Sequence, residues 1–366
     1  MAGGGAPVRA ALRPPRPGGD RGARGAGVIP VTLLTGFLGA GKTALLARLL
    51  RWPALTDTAV LINEFGEVGL DHLLVEPLQG EVALLRGGCV CCSIRGDLKA
   101  ALIDLHDRRR RGRVAPFRRV VIETTGLADP GPAVATLVAD PVLRHAFAVG
   151  AIVTVVDAVN GARTLDSHEE AVRQVACADR LILSKTDLAE PGLAAALRAR
   201  LAALNPLAPV TDLTLDDAPE AALLTDDPTG SPSARRWLCA EIPAAPHGPV
   251  GAVLIESGPV DWTRFGLWLG MLLNRHGARV LRLKGLVAVA GVDTPVVIQG
   301  VQHLVHPPRH LPAWPDGGAR TRLVLIGHDL DANLLRRSYG AFTGARAFTG
   351  ARPSFPGAPA AVAADR

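Results

Sequence analysis

The run Gly36-Phe37-Leu38-Gly39-Ala40-Gly41-Lys42-Thr43 constrains this chain more than any other part of it. It matches G-x-x-x-x-G-K-[ST] and lies between an apolar run, VIPVTLLT (28–35), and the amphipathic stretch TALLARLLR (43–51). A strand that turns through glycines into a helix points backbone N–H groups at one spot, where the helix dipole favours an anion. Lys42 is placed to reach the β- and γ-phosphates of a nucleoside triphosphate, and the Thr43 hydroxyl to ligate Mg²⁺. The expected phosphate and Mg²⁺ residues are therefore Gly36, Gly39, Ala40, Gly41, Lys42, Thr43 and Ala44. A structural Gly-rich turn would not require Lys42-Thr43.

The rest of the first half fits such a loop. TAVLIN (58–63), RVVIET (119–124), GAIVTVVDA (150–158) and RLILSKTD (180–187) read as strands apolar on both faces. Helix-length segments at 93–108, 131–139, 167–178 and 192–204 alternate with them. The alternation predicts an α/β fold, a doubly wound parallel sheet, over 28–215. A Pro/Asp/Ser-rich stretch, 216–248, reads as a linker. Residues 249–341 then predict a smaller α/β domain with three or four strands. The tandem AFTGAR-AFTGAR (341–352) opens a low-complexity tail, taken as 342–366.

Composition excludes several classes. The chain has 366 residues and a net charge of +6, of which Arg9, Arg13, Arg16, Arg21 and Arg24 against Asp20 carry +4. That charge sits in a Gly/Pro/Ala-rich stretch, 1–27, expected to be disordered, so it is no argument for nucleic-acid binding. Arg108–Arg111 and Arg113 close a helix, where cations suit the dipole, and no aromatics interleave with them. No apolar run reaches about 18 residues and no secretory h-region precedes the loop, so a membrane partner is not expected. Five cysteines, three of them clustered, do not make a disulfide framework and point to the cytoplasm.

Three further motifs bear chemistry. Ser184-Lys185-Thr186-Asp187 ends a strand; a carboxylate at Asp187 accepts from guanine N1–H and the N2 amine together, while the Lys185 stem covers the base. Ser184 stands where the usual guanine motif has Asn. Glu123-Thr124-Thr125-Gly126 suits an acid acting on Mg²⁺ or its waters, followed by a glycine N–H that senses the γ-phosphate. Lys42, Glu123 and Gly126 form the candidate catalytic set. Cys89, Cys91 and Cys92 fall within four residues after Gly87-Gly88, and thiolates so close suit one soft or borderline ion if the chain turns. Three thiolates leave one tetrahedral position open. Cys177 and Cys239 read as buried structural residues, and His303, His306 and His310 chiefly as solvated surface.

With these residues in view, the chain resembles the CobW-type metallochaperone GTPases, relatives of the nickel-insertion GTPases. LLTGFLGAGKT, NEFGEVGLD, GGCVCCSIRGDL, ETTGLADP and SKTDL occur in that family's order. Arg-x-Lys-Gly-Leu (282–286) and VQHLVHPP are similar to its C-terminal domain, so the resemblance spans about 28–340. It implies that Gly39, Gly41, Lys42 and Thr43 bind phosphate and Mg²⁺, that Glu123 is the Walker-B acid, and that Lys185 and Asp187 read guanine. It implies also that Cys89, Cys91 and Cys92 hold the metal. Two features differ: no His-rich loop stands near the linker, where His247 is alone, and Ile62 occupies the position before Asn63 where some relatives have Glu.

The expected function is a GTP-hydrolysing metallochaperone that takes Zn²⁺, with Co²⁺ second, and delivers it to a client apo-metalloprotein. Asn63–Asp71 would be the switch joining nucleotide to metal. The alternatives are a metal storage or sensing module with a structural nucleotide, and an ATP-dependent small-molecule kinase. The oligomeric state, homo-oligomer included, stays open.

Overall fold

Alternate residues of β1 (Ile29–Thr35) enter different cores: Val31 and Leu33 face one layer, Leu34 the other. A strand apolar on both faces must be covered on both, and that requirement organises the first half of the chain. The computed structural model describes residues 28–52, 55–65, 82–87, 93–213, 231–240, 242, 249–315 and 318–345. β1 pairs in parallel with β4 (Arg119–Glu123) and β5 (Phe147–Asp157). Outward from these lie β2 (Thr58–Phe65), β3 (Val82–Gly87), β6 (Arg180–Ser184) and β7 (Val210–Leu213), in the order β3-β2-β4-β1-β5-β6-β7, all parallel. The chain runs outward from β1 on one side, returns at β4, and crosses to β5. The carboxyl end of β1 is therefore the topological switch point, where ligands of open α/β sheets bind.

Helix α1 (Lys42–Leu50) covers one face through Leu45, Leu46 and Leu49. On the opposite face lie α2 (Ser93–Arg110), α3 (Gly131–Ala139), α4 (Pro141–Ala146) and α6 (Glu169–Cys177). α5 (Gly161–Ser167) and α7 (Pro191–Leu204) pack with α6 beside β6. The fold class expected for this half is observed.

The second half forms an antiparallel sheet of β8 (Val250–Ser257), β9 (Val280–Val287), β10 (Val296–Val301), β11 (Leu304–Val305), β12 (Arg309–His310) and β13 (Thr321–His328). One face lies under α9 (Trp262–His276) and α10 (Ala332–Thr343), where Trp268 meets Tyr339 edge-on at 5.0 Å. The other face, with Leu281, Val297, Val324 and Ile326, shares a core with α3 and α6 and with α8 (Ser231–Cys239). The two sheets thus enclose a common helical layer.

Several segments differ from the sequence expectation. Among the described residues this sheet has six strands rather than three or four, since β11 and β12 are two-residue pieces too short to show a pattern. Helix α8 occupies part of the 216–248 stretch because Ala234, Trp237 and Leu238 bury one stripe of it. Helix α10 runs to Thr343 and closes on Gly344 at φ +71°, so the first AFTG belongs to a helix cap. The 1–27 and 346–366 tails, the Cys89–Cys92 cluster and Gly66–Asp71 of the expected switch lie outside the described residues.

Candidate nucleotide site

The loop from Gly36 to Gly41 is a glycine structure for steric reasons. Gly36 has φ +140°, and a Cβ there would stand 2.2 Å from the Val155 carbonyl oxygen on β5. Gly39 and Gly41 have φ of +73° and +91°, a region that favours glycine. The chain then enters α1 at Lys42 with Gly41 as its N-cap, and Ala44 stands exposed in the first turn. Ala40 is buried against the α1 core.

Lys42 folds back over the loop and donates to the carbonyls of Gly36 (2.9 Å) and Phe37 (3.2 Å). Its side chain is buried, and that burial lowers its pKa against the pull of Glu123. A desolvated cation at a helix N-terminus is stabilised by an anion placed beside it. Thr43 Oγ1 donates to Glu123 Oε1 at 2.6 Å, bringing a hydroxyl and a carboxylate 80 positions apart to one point. Glu123 is itself buried at the end of β4. Both are hard oxygen donors, and the pair suits Mg²⁺. Gly126 lies against the loop: a Cβ there would be 2.6 Å from the Leu38 nitrogen. Gln174 on α6 steadies that approach, donating through Nε2 to the carbonyls of Gly126 and Ala128, both at 3.0 Å.

On the other flank, Ser184 Oγ donates to the Ala40 carbonyl at 2.7 Å, so the serine ties the end of β6 to the loop. Lys185 follows in the left-handed region at φ +57°, and its Nζ donates to the Gly39 carbonyl (2.8 Å) and to Asp157 Oδ2 (2.7 Å). Asp187 is exposed within the same turn, which the Leu188 N–H to Lys185 carbonyl bond closes. Burial pushes the Asp157 carboxyl up, but the Lys185 ammonium and the Asn160 and Val159 amides outweigh it and hold the pKa low. A cavity of about 400 Å³ opens between Phe37–Ala40, the end of β5 and the α5–α6 corner.

The structure thus brings together Gly36, Gly39, Ala40, Gly41, Lys42, Thr43, Glu123, Gly126 and Lys185, with Ala44 and Asp187 at the margins. Sequence reasoning missed Asp157 and Gln174. An acid closing the apolar run TVVD was the available signal for the first; nothing local marked the second. Among the described residues, no three His, Cys, Asp or Glu side chains converge as a metal site. β3 ends at Gly87, in register with Phe65 of β2, and α2 begins at Ser93. β3 therefore ends at the same carboxyl edge of the sheet as β1, where the glycine loop begins. β3 stands three strands from β1, a lateral distance of roughly 14 Å at about 4.8 Å per strand.

A glycine loop at the switch point, a lysine folded over it, and a threonine joined to a strand-end acid define a P-loop nucleotide-binding protein. Within that class the chain belongs to the CobW/HypB/UreG family. The family's nucleotide-binding domain matches residues 30–212, and the cobalamin synthesis protein cobW C-terminal domain matches residues 250–343. The chain is 35% identical over 318 residues to the zinc chaperone YjiA of Escherichia coli, covering 85% of this chain and 98% of that protein. It is 39% identical over 202 residues to the zinc-regulated GTPase metalloprotein activator 1 of Schizosaccharomyces pombe, covering 52% and 48%. The crystal structure of Zn(II)-bound YjiA GTPase from E. coli superposes with a TM-score of 0.66 at 30% identity, covering 86% of this chain and 99% of that one.

Proposed function

We propose that this protein is a GTP-hydrolysing zinc chaperone acting in the cytoplasm. The observation that carries the reading is likeness along nearly the whole of a zinc chaperone, combined with a loop whose lysine, threonine and acid are already assembled. Lys42 would turn from the Gly36 and Phe37 carbonyls to the β- and γ-phosphates, exchanging two neutral partners for an anion. Thr43 and Glu123 would hold Mg²⁺, which supplies charge neutralisation on the transferred phosphoryl group. The Gly126 N–H would contact the γ-phosphate, and Lys185 and Asp187 would read guanine, with Gly36, Gly39, Ala40, Gly41 and Ala44 lining the phosphate path.

The cargo is a transition-metal ion on Cys89, Cys91 and Cys92, with Zn²⁺ first and Co²⁺ second. Three thiolates leave a fourth position through which a client apo-metalloprotein takes the ion. The Asn63–Asp71 stretch begins within β2, and Cys89–Cys92 comes after the adjacent β3 in the sequence, which supports their acting as one nucleotide-responsive unit.

The test is a Co²⁺ titration, followed through the thiolate-to-metal charge-transfer band, with and without a non-hydrolysable GTP analogue. The analogue should tighten metal binding, and metal should tighten nucleotide binding by the same factor. Changing all three cysteines to Ser should weaken metal binding by orders of magnitude and leave basal turnover intact. A band that ignores the nucleotide indicates a storage module. ATP binding as well as GTP, with phosphate transferred to a metabolite, indicates a kinase.

A further inference from the structure

Asp157, at the end of β5, connects three parts of the molecule. Its Oδ1 accepts from the backbone N–H groups of Val159 (2.8 Å) and Asn160 (3.1 Å), closing the turn into α5. Its Oδ2 accepts from Lys185 Nζ at 2.7 Å, and that ammonium donates in turn to the Gly39 carbonyl at 2.8 Å. Asp157 stands beside Ser184 in the β5–β6 register, and Ser184 ties the end of β6 to Ala40. The base-reading turn and the phosphate loop thus share two joints, one of them ionic. The Asp157 side chain is 11% exposed, so its pair with Lys185 is screened less than a surface one.

We propose that Asp157 is a positioning residue for nucleotide retention: by pinning the Lys185 ammonium onto the Gly39 carbonyl, it makes the guanine turn and the phosphate loop hold the nucleotide as one body. The lysine sits in the left-handed region, which costs a non-glycine residue energy, and the Asp157–Lys185–Gly39 chain holds it there. Without that chain the Lys185 stem loses its fixed place over the base. GTP and GDP lose equally, since neither contact touches the γ-phosphate. This is uniform binding, so the dissociation rate and KM change while kcat does not.

The inference rests on the base-reading role of Lys185–Asp187, and two variants of Asp157 test it. Asp157→Asn cannot serve both clients, because an amide has one acceptor oxygen. Asp157→Ser keeps a hydroxyl that accepts from the Val159 N–H in the turn before α5, as serine does in such turns, but is too short to reach Lys185, so it preserves the fold if the asparagine does not. Release of N-methylanthraniloyl-GTP and -GDP should be about tenfold faster in either variant, with kcat at saturation within twofold of wild type. In a Lys185→Met background, which keeps the stem and removes the ammonium, neither substitution should have a further effect. Unchanged release, or an effect of equal size in the Lys185→Met background, overturns the role of Asp157. Failure of the base reading is separate: Asp187→Asn would then fail to shift preference from GTP to XTP.

Discussion

Lys42 illustrates what one residue decides. Its ammonium is held by two loop carbonyls in a desolvated position, so it adds little to the stability of the fold and much to the affinity of the loop for an anion. Lys42→Ala should therefore lower GTP turnover by at least about 10²–10³-fold, the usual cost of removing one preorganised charge partner. Its thermal midpoint should match wild type. Both are read from a phosphate-release assay and a thermal melt of one preparation, and unaltered turnover would refute the P-loop assignment. The motif G-x-x-x-x-G-K-T announced this residue because its chemistry requires adjacent positions. Asp157 went unread because its partner lies 28 positions away.

At the scale of elements, helix ends matter most. Helix α6 ends at Cys177, and the Nδ2 of Asn205, at the end of α7, donates to the carbonyls of Val175 (2.8 Å), Ala176 (3.2 Å) and Ala178 (3.0 Å). Asn205 is fully buried, so water cannot replace it. Asn205→Ala should cost about 2–3 kcal/mol, seen as a lower urea midpoint with unchanged m, because it strands buried acceptors. The strands and longer helices were legible from apolar periodicity, as in VIPVTLLT and TALLARLLR. β3, β7 and α8 were not: they are short, or amphipathic only against a partner that sequence does not reveal. VALLRG reads as a strand once β2 lies beside it.

The whole molecule is joined through a buried charge cluster. Asp179 accepts from the Ile152 N–H (2.8 Å) within the first sheet, and from Arg282 (2.5 Å) and Lys284 (2.6 Å) on β9 of the second. Burial pushes the Asp179 carboxyl up, but the two cations prevail and hold it at about 2. Asp179→Asn leaves both cations buried without a counter-charge and should cost about 3–5 kcal/mol, measured by denaturant unfolding. A smaller loss would mean that the second sheet is held chiefly by apolar contacts such as Leu281 and Val324. His306 adds a pH dependence. Burial first, and then Arg282, lower its pKa to about 4, and its Nε2 has no hydrogen-bond partner among the described residues. From the ordinary value near 6.5 down to about 4, the unfolded chain binds a proton that the folded chain refuses, so stability falls as pH drops through that window. The slope is at most about 1.4 kcal/mol per pH unit. His306→Gln should flatten it and leave the acid loss that Asp179 causes below about pH 4. An unaltered profile would assign the slope elsewhere.

The amino-acid sequence determined on its own the parallel α/β half, the glycine loop, its lysine and threonine, the strand-end acid and the order of the motifs. Each depends on residues close in the chain or on a repeating period that burial imposes. Only the tertiary structure decided which distant groups meet: Thr43 with Glu123, Lys185 with Asp157 and Gly39, Gln174 with Gly126, and Asp179 with Arg282 and Lys284. His303, His306 and His310 make the same point, since they read alike as surface. In the fold His303 is exposed, His310 Nδ1 meets Thr294 Oγ1 at 2.8 Å, and His306 faces the interdomain charges. A hydrogen bond or ion pair between remote residues leaves no local periodicity, because its energy depends on a desolvated distance that exists only once both sheets have closed on the helices between them.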